Sequence, residues 1–108
     1  MSTSEKGSRP SCMGEQALRE FVRHARKKGY YRETFHSEVE RAERNISPDD
    51  IAHGLDRDGW RVCKAPNFDD EHQTWEYLIE TEDIEGEVLH LKITIDERNK
   101  RFEVISKW

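Results

Sequence analysis

Glu76, His90, Lys92 and Thr94 are polar residues spaced so that one face of a β-hairpin would carry all of them. An imidazole changes charge near neutrality, so His90 can give or take a proton at physiological pH. A carboxylate such as Glu76 can serve as a base, and an ammonium such as Lys92 can hold an anion. That face is the candidate site. A half-covered antiparallel sheet also has a polar outer face with no function attached, so the spacing alone fits both readings.

The elements that would position these groups follow from the apolar periodicity. Trp75, Tyr77 and Ile79 alternate with Thr74, Glu76 and Glu80, and beyond Glu85-Gly86 come Leu89, Leu91, Ile93 and Ile95. Side chains two apart share a face, which predicts two strands joined at that turn. Upstream, Ala17, Leu18, Phe21, Val22 and Ala25 fall on one helical face. Arg26, Lys27 and Lys28 complement the dipole at its end, before Gly29. Tyr30 to Glu33 reads as a connector, and Thr34 as the N-cap of a second helix with Phe35, Val39, Ala42 and Ile46 along its seam. Ser47-Pro48-Asp49-Asp50 opens a third, short helix with Ile51 and Leu55 as core contacts. Trp60 to Cys63 is a short strand, Ala65 to Gln73 a polar loop, and Asp96 to Lys100 a turn. The last strand buries Phe102, Val104 and Trp108 and turns Glu103, Ile105 and Lys107 the other way. Helices first and strands afterwards predict an α+β fold: two or three N-terminal helices on one face of a four-stranded, mainly antiparallel sheet. The other face would display Glu76, His90, Lys92 and Lys107.

The chain has 108 residues, the size of one domain. Residues 1–13, rich in Ser, Gly and Pro, are expected to form a disordered tail, and 14–108 the folded domain. The net charge of −5 is unevenly placed: Gly14 to Arg44 holds eight Lys/Arg against six Asp/Glu, while Asn45 to Trp108 holds eight against sixteen. Such a chain is a poor generic binder of nucleic acid, and DNA is not expected as a partner. It leaves room for a small local cluster of cations.

Cys12 and Cys63 have neither CxxC spacing nor the density of a disulfide scaffold, so two free thiols in a reducing cytoplasm are expected. No window reaches the ~20 apolar residues of a membrane span. His36, His53, His72 and His90 form no HxxxH or HxH pair, and Asp69, Asp70 and Glu71 read as a solvated loop. Neither a metal nor a cofactor is expected from these linear patterns.

The run from His36 through Arg41, Arg44 and Ile46 to Ile51 resembles the opening of a bacterial domain family in the RelE-like toxin superfamily. That family begins with His, two Arg-rich turns, Ile-Ser and an acidic helix start. The second half resembles the MqsR-type messenger-RNA interferases of the same superfamily. Lys64 stands eleven positions before Trp75, Gly86 eleven after it, the strand reads His90-Leu-Lys-Ile-Thr94, and Ile105-Ser-Lys107 closes the pattern. Carried over by position, Lys64 and Lys107 match catalytic lysines. Glu76 stands where the family has a catalytic Gln, and His90 lies nearest its catalytic Tyr.

The resemblance implies a RelE-like fold and metal-independent endoribonuclease activity of the mRNA interferase type, with RNA as substrate and a cognate antitoxin protein as partner. His90 or Glu76 would act as acid or base, Lys64 and Lys107 would complete the catalytic set, and Lys92 and Arg61 would contact the RNA backbone. Glu76 in place of Gln, together with the net acidity, also fits an alternative: an inactive RelE-like domain serving as a protein-interaction module.

Overall fold

The computed structural model describes residues 11–33, 46–57 and 59–108. The expected second helix, apart from Ile46, and His36 to Asn45 of the RelE-like run lie outside the described residues. So do residues 1–10 of the expected tail. Met13, at the edge of that tail, packs on the core and donates its N–H to the Tyr77 hydroxyl at 2.9 Å.

In chain order the described elements are α1 (Glu15–Lys28), β1 (Tyr31–Glu33), α2 (Pro48–Asp56), β2 (Arg61–Val62), β3 (Asn67–Asp69), β4 (Thr74–Glu82), β5 (Val88–Asp96) and β6 (Arg101–Lys107). The class is α+β, with two helices among the described residues. Among the described residues the sheet has six strands rather than the expected four, in the order β1-β6-β5-β4-β2, with β3 also on β4. All pairings are antiparallel except β1 with β6.

Both extra strands arise where short segments find a partner that no local periodicity announces. The expected connector Tyr30–Glu33 becomes β1: Tyr31 stacks on Phe102 with centroids 5.1 Å apart, and Arg32 pairs with Glu103 at 2.6 Å. The expected loop Ala65–Gln73 contains β3, where Phe68 packs edge-on against Trp75 at 5.1 Å. β2 and β3 lie end to end along the same edge of β4, interrupted around Lys64.

The helices cover one sheet face. α1 buries Leu18, Val22 and Ala25, while Ala17, at the margin of the expected face, is exposed. It ends at Gly29, whose φ of 77° suits a residue without Cβ. α2 starts with a capping box in which Ser47 and Asp50 bond each other's backbone N–H. Asp50 also accepts from Ile84 N at 3.1 Å, which ties the helix start to the hairpin turn. Further along, the Gly54 carbonyl accepts from the buried Thr81 hydroxyl at 2.8 Å. A Cβ at Gly54 would stand 2.6 Å from Thr81 Cγ2, so this glycine permits the close approach of α2 to β4. The core between the layers comprises Leu18, Val22, Ile51, Leu55, Trp60, Tyr77, Ile79, Leu89, Leu91, Ile93, Phe102 and Val104. Among the described residues no helix is long and apolar enough to cross a membrane.

The last strand departs from simple alternation. Ile93 faces Val104, but Lys92 faces Ser106, so β6 carries one extra residue there. That bulge reverses the phase of everything after it. Lys107, expected on the open face, is 8% exposed on the helix side, and its Nζ donates to the Ile46 carbonyl at 2.9 Å. Trp108, expected in the core, is 39% exposed on the open face.

Candidate functional site

The open face is a ladder of cross-strand pairs between β4 and β5: Glu80 with His90, Leu78 with Lys92, and Glu76 with Thr94. Arg61 of β2 flanks Glu80 from the other side. His90 uses both backbone groups on Trp108, N to O at 2.8 Å and O to N at 3.0 Å. Toward β4 it therefore forms the pair type without backbone hydrogen bonds, in which side chains approach most closely.

Glu80 is the centre of this arrangement. Its Oε2 accepts from Arg61 Nη2 at 3.1 Å, and its Oε1 lies 3.4 Å from His90 Nε2. The Arg61 hydrogen bond, with smaller contributions from His90, holds the Glu80 carboxyl below the usual carboxylate range. Arg61 remains largely exposed, whereas the side chains of Glu80 and His90 are about a third exposed or less. The indole of Trp108 stacks on the His90 ring at 5.4 Å and 19°, restricting how the imidazole can turn. Cys63, just past β2, completes the neighbourhood: its Sγ is 3.5 Å from the Leu78 carbonyl.

The residues expected from the sequence are only partly brought together. Arg61 and His90 meet on Glu80. Glu76 and Lys92 share the same face, with Lys92 Nζ 4.0 Å from Glu76 Oε1, and Asn67 Nδ2 donates to that oxygen at 3.4 Å. Lys64 is exposed in the interruption between β2 and β3. Lys107 points into the core, because the bulge places it opposite Leu91.

Two residues were missed, Glu80 and Cys63. In the sequence Glu80 is one of several polar residues alternating with the apolar set, and the signal that distinguishes it is the cross-strand register that sets it opposite His90. A concavity of about 780 Å³ lies elsewhere on this face, lined by Arg32, His72, Glu76, Arg101 and Glu103 among others. Glu76 is four residues from Glu80 along β4, about 13 Å at the usual rise per residue. The groove is thus a neighbour of the Glu80–His90 pair rather than its container.

At the far rim, Asp69 accepts from His72 Nδ1 at 2.7 Å on an exposed turn. This hydrogen bond raises the His72 pKa and lowers that of Asp69.

Fold and face define an α+β domain that sets a carboxylate between an imidazole and a guanidinium on a sheet face that no described helix covers. Comparison with family models, with curated proteins and with solved structures finds no match for this chain.

Proposed function

We propose that this protein is a RelE-like, metal-independent endoribonuclease of the toxin–antitoxin type, acting from the Arg61–Glu80–His90 cluster. The observation that carries the reading is the Glu80 carboxylate set between a guanidinium at 3.1 Å and an imidazole at 3.4 Å on a solvent-facing sheet. RNA supplies its own nucleophile. Glu80 accepts the proton of a ribose 2′-hydroxyl as its oxygen bonds to the adjacent phosphorus. Protonated His90 gives a proton to the departing 5′-oxygen, leaving a 2′,3′-cyclic phosphate and a free 5′-hydroxyl. Arg61 offsets charge on the phosphorane oxygens, and Lys92 lies one cross-strand step further along the face, where an RNA backbone would run. The exposed Trp108 offers a surface on which a base can stack.

In this scheme Glu80 takes the base role first assigned to Glu76. Lys107 serves the fold rather than the phosphate. Lys64 is an exposed cation available to the RNA backbone.

The test is cleavage of a long defined RNA in excess chelator, mapped at nucleotide resolution, with Glu80→Gln and His90→Ala alongside. Each variant should lose roughly 10²- to 10⁴-fold in rate while remaining folded. Cuts that persist unchanged in both variants sink the assignment.

A second reading, a non-catalytic RelE-like interaction module, draws on one specific observation. Lys107, which the resemblance makes catalytic, is bonded to a backbone carbonyl in the interior. A folded protein that cuts no RNA but binds a partner stoichiometrically would favour it.

A further inference from the structure

The acid–base scheme leaves the Cys63 thiol without a task, although it sits beside the two groups that scheme uses. One donor atom each from Cys63, Glu80 and His90 lies within 4.8 Å of the other two. The three residues come from successive places on the sheet, at the end of β2, in β4 and in β5, and all are half-buried. No linear motif announces them, because their chain separations reflect strand pairing.

We propose that Cys63, Glu80 and His90 bind a zinc-class divalent cation on the open sheet face, with the fourth position left to water. Zinc bonds sulfur at ~2.3 Å and nitrogen or oxygen at ~2.0–2.2 Å, so tetrahedral donors stand roughly 3.4–3.6 Å apart. His90 Nε2 and Glu80 Oε1, at 3.4 Å, already have that spacing. The other donor separations are within 4.8 Å, so closing them needs movement on the order of 1 Å at most, within reach of half-buried side chains.

The surroundings suit a metal in two further respects. Arg61 holds Glu80 Oε2 and leaves Oε1 turned toward the cluster, the outer hydrogen bond that orients a ligating carboxylate. A thiolate and a carboxylate together balance a doubly charged ion. Thiolate with imidazole selects borderline-soft metals over magnesium or calcium, which take oxygen. The other mixed cluster, Asp69, Glu71 and His72, is different in kind. It sits on one exposed turn, and Asp69 already accepts from Glu71 N, His72 N and His72 Nδ1.

An ion bound here would occupy both proton-transfer groups, so zinc would switch cleavage off. That consequence rests on the ribonuclease reading, whereas the site itself does not.

Cobalt(II) is the probe, added to the reduced 108-residue chain in a Cys12→Ser background so that a single thiol remains. One equivalent should produce a thiolate-to-cobalt charge-transfer band that zinc abolishes by displacement. Cys63→Ser should lose the band, and Glu80→Gln and His90→Ala should weaken cobalt binding by about tenfold or more. Absence of the band, or its survival in Cys63→Ser, overturns the site. X-ray absorption at the zinc edge of the Cys12→Ser protein gives a reading free of any ligand substitution: one sulfur beside nitrogen and oxygen is expected, and a shell without sulfur overturns it. The spectra decide the site even where no RNA is cut, so failure of the ribonuclease reading would be visible separately.

Discussion

Replacing Lys107 by Met separates the role that the resemblance gives this residue from the role that its surroundings give it. Its ammonium donates to the Ile46 carbonyl at 2.9 Å, immediately before the Ser47 cap of α2. Methionine keeps most of the apolar stem and removes the donor. A hydrogen bond from a charged group contributes ~1.5–3 kcal/mol, and a buried carbonyl left unpaired costs ~1–3 kcal/mol. Relief from desolvating the ammonium offsets part of that loss, leaving a net destabilisation of about 2 kcal/mol. For a domain of this size that is a drop in Tm of roughly 8–16 °C. Urea unfolding followed by tryptophan fluorescence measures the change, with Trp60 buried in the core as the reporter.

The loss should also depend on pH. Burial raises the pKa of Glu33, and Lys107 works against that rise. Without Lys107 the folded-state pKa climbs further above the unfolded value, so the folded state holds its proton longer. Stability of the variant then falls, relative to wild type, as pH rises through the Glu33 titration. Cleavage, measured where both proteins are folded, should stay within severalfold of wild type. Undiminished stability with a hundredfold loss of cleavage would refute the structural role and restore the catalytic one.

Gly54→Ala should destabilise by about 1–2 kcal/mol, because a helix-propensity gain of ~1 kcal/mol is outweighed by overpacking against Thr81 Cγ2 at 2.6 Å; a variant more stable than wild type in urea would show that the contact yields. Arg61→Ala should let the Glu80 pKa rise, since the guanidinium is the largest cause of its depression. The acid limb of the kcat/KM profile for RNA cleavage should then move to higher pH, and a limb that stays put would mean that Glu80 is not the base.

Much of the fold was legible because it depends on period and punctuation. The alternation of Tyr77 and Ile79 with Glu76 and Glu80, and of Leu89 to Ile95 with His90 to Thr94, predicted β4 and β5 and their two faces as observed. Ser47-Pro48 announced the start of α2, and Gly29 the end of α1. What escaped was structure created by long-range pairing. Three residues of β1 have no periodicity of their own and become a strand through Tyr31 on Phe102 and Arg32 on Glu103. β3 likewise owes its form to the edge of β4.

The site shows the same division, and the bulge is its sharpest case. Period-2 reasoning assigned Lys107 to the open face by counting from Val104, which holds only while β6 stays in step with β5. One extra residue opposite the Lys92/Ile93 step reverses the count. The cation expected beside His90 is thereby replaced by the indole of Trp108, which stacks on the imidazole from the next hydrogen-bonded position. Glu80 was overlooked for a related reason. On β4 it is one of several glutamates in alternating positions, and only the register that sets it between Arg61 and His90 distinguishes it from Glu76 and Glu82. Residue types limited which groups could transfer protons, but strand register decided which of them meet. Deleting Ile105 should therefore take out the extra residue yet leave Lys107 opposite Leu91 and bonded to the Ile46 carbonyl, because Val104, Ser106 and Lys107 then alternate in step with Ile93, Lys92 and Leu91. Lys107→Met should then cost the deletion variant about as much stability in urea as it costs the wild type. A Lys107→Met loss that disappears in the deletion variant would mean that the burial of Lys107 depends on the bulge rather than on its pairing with Leu91.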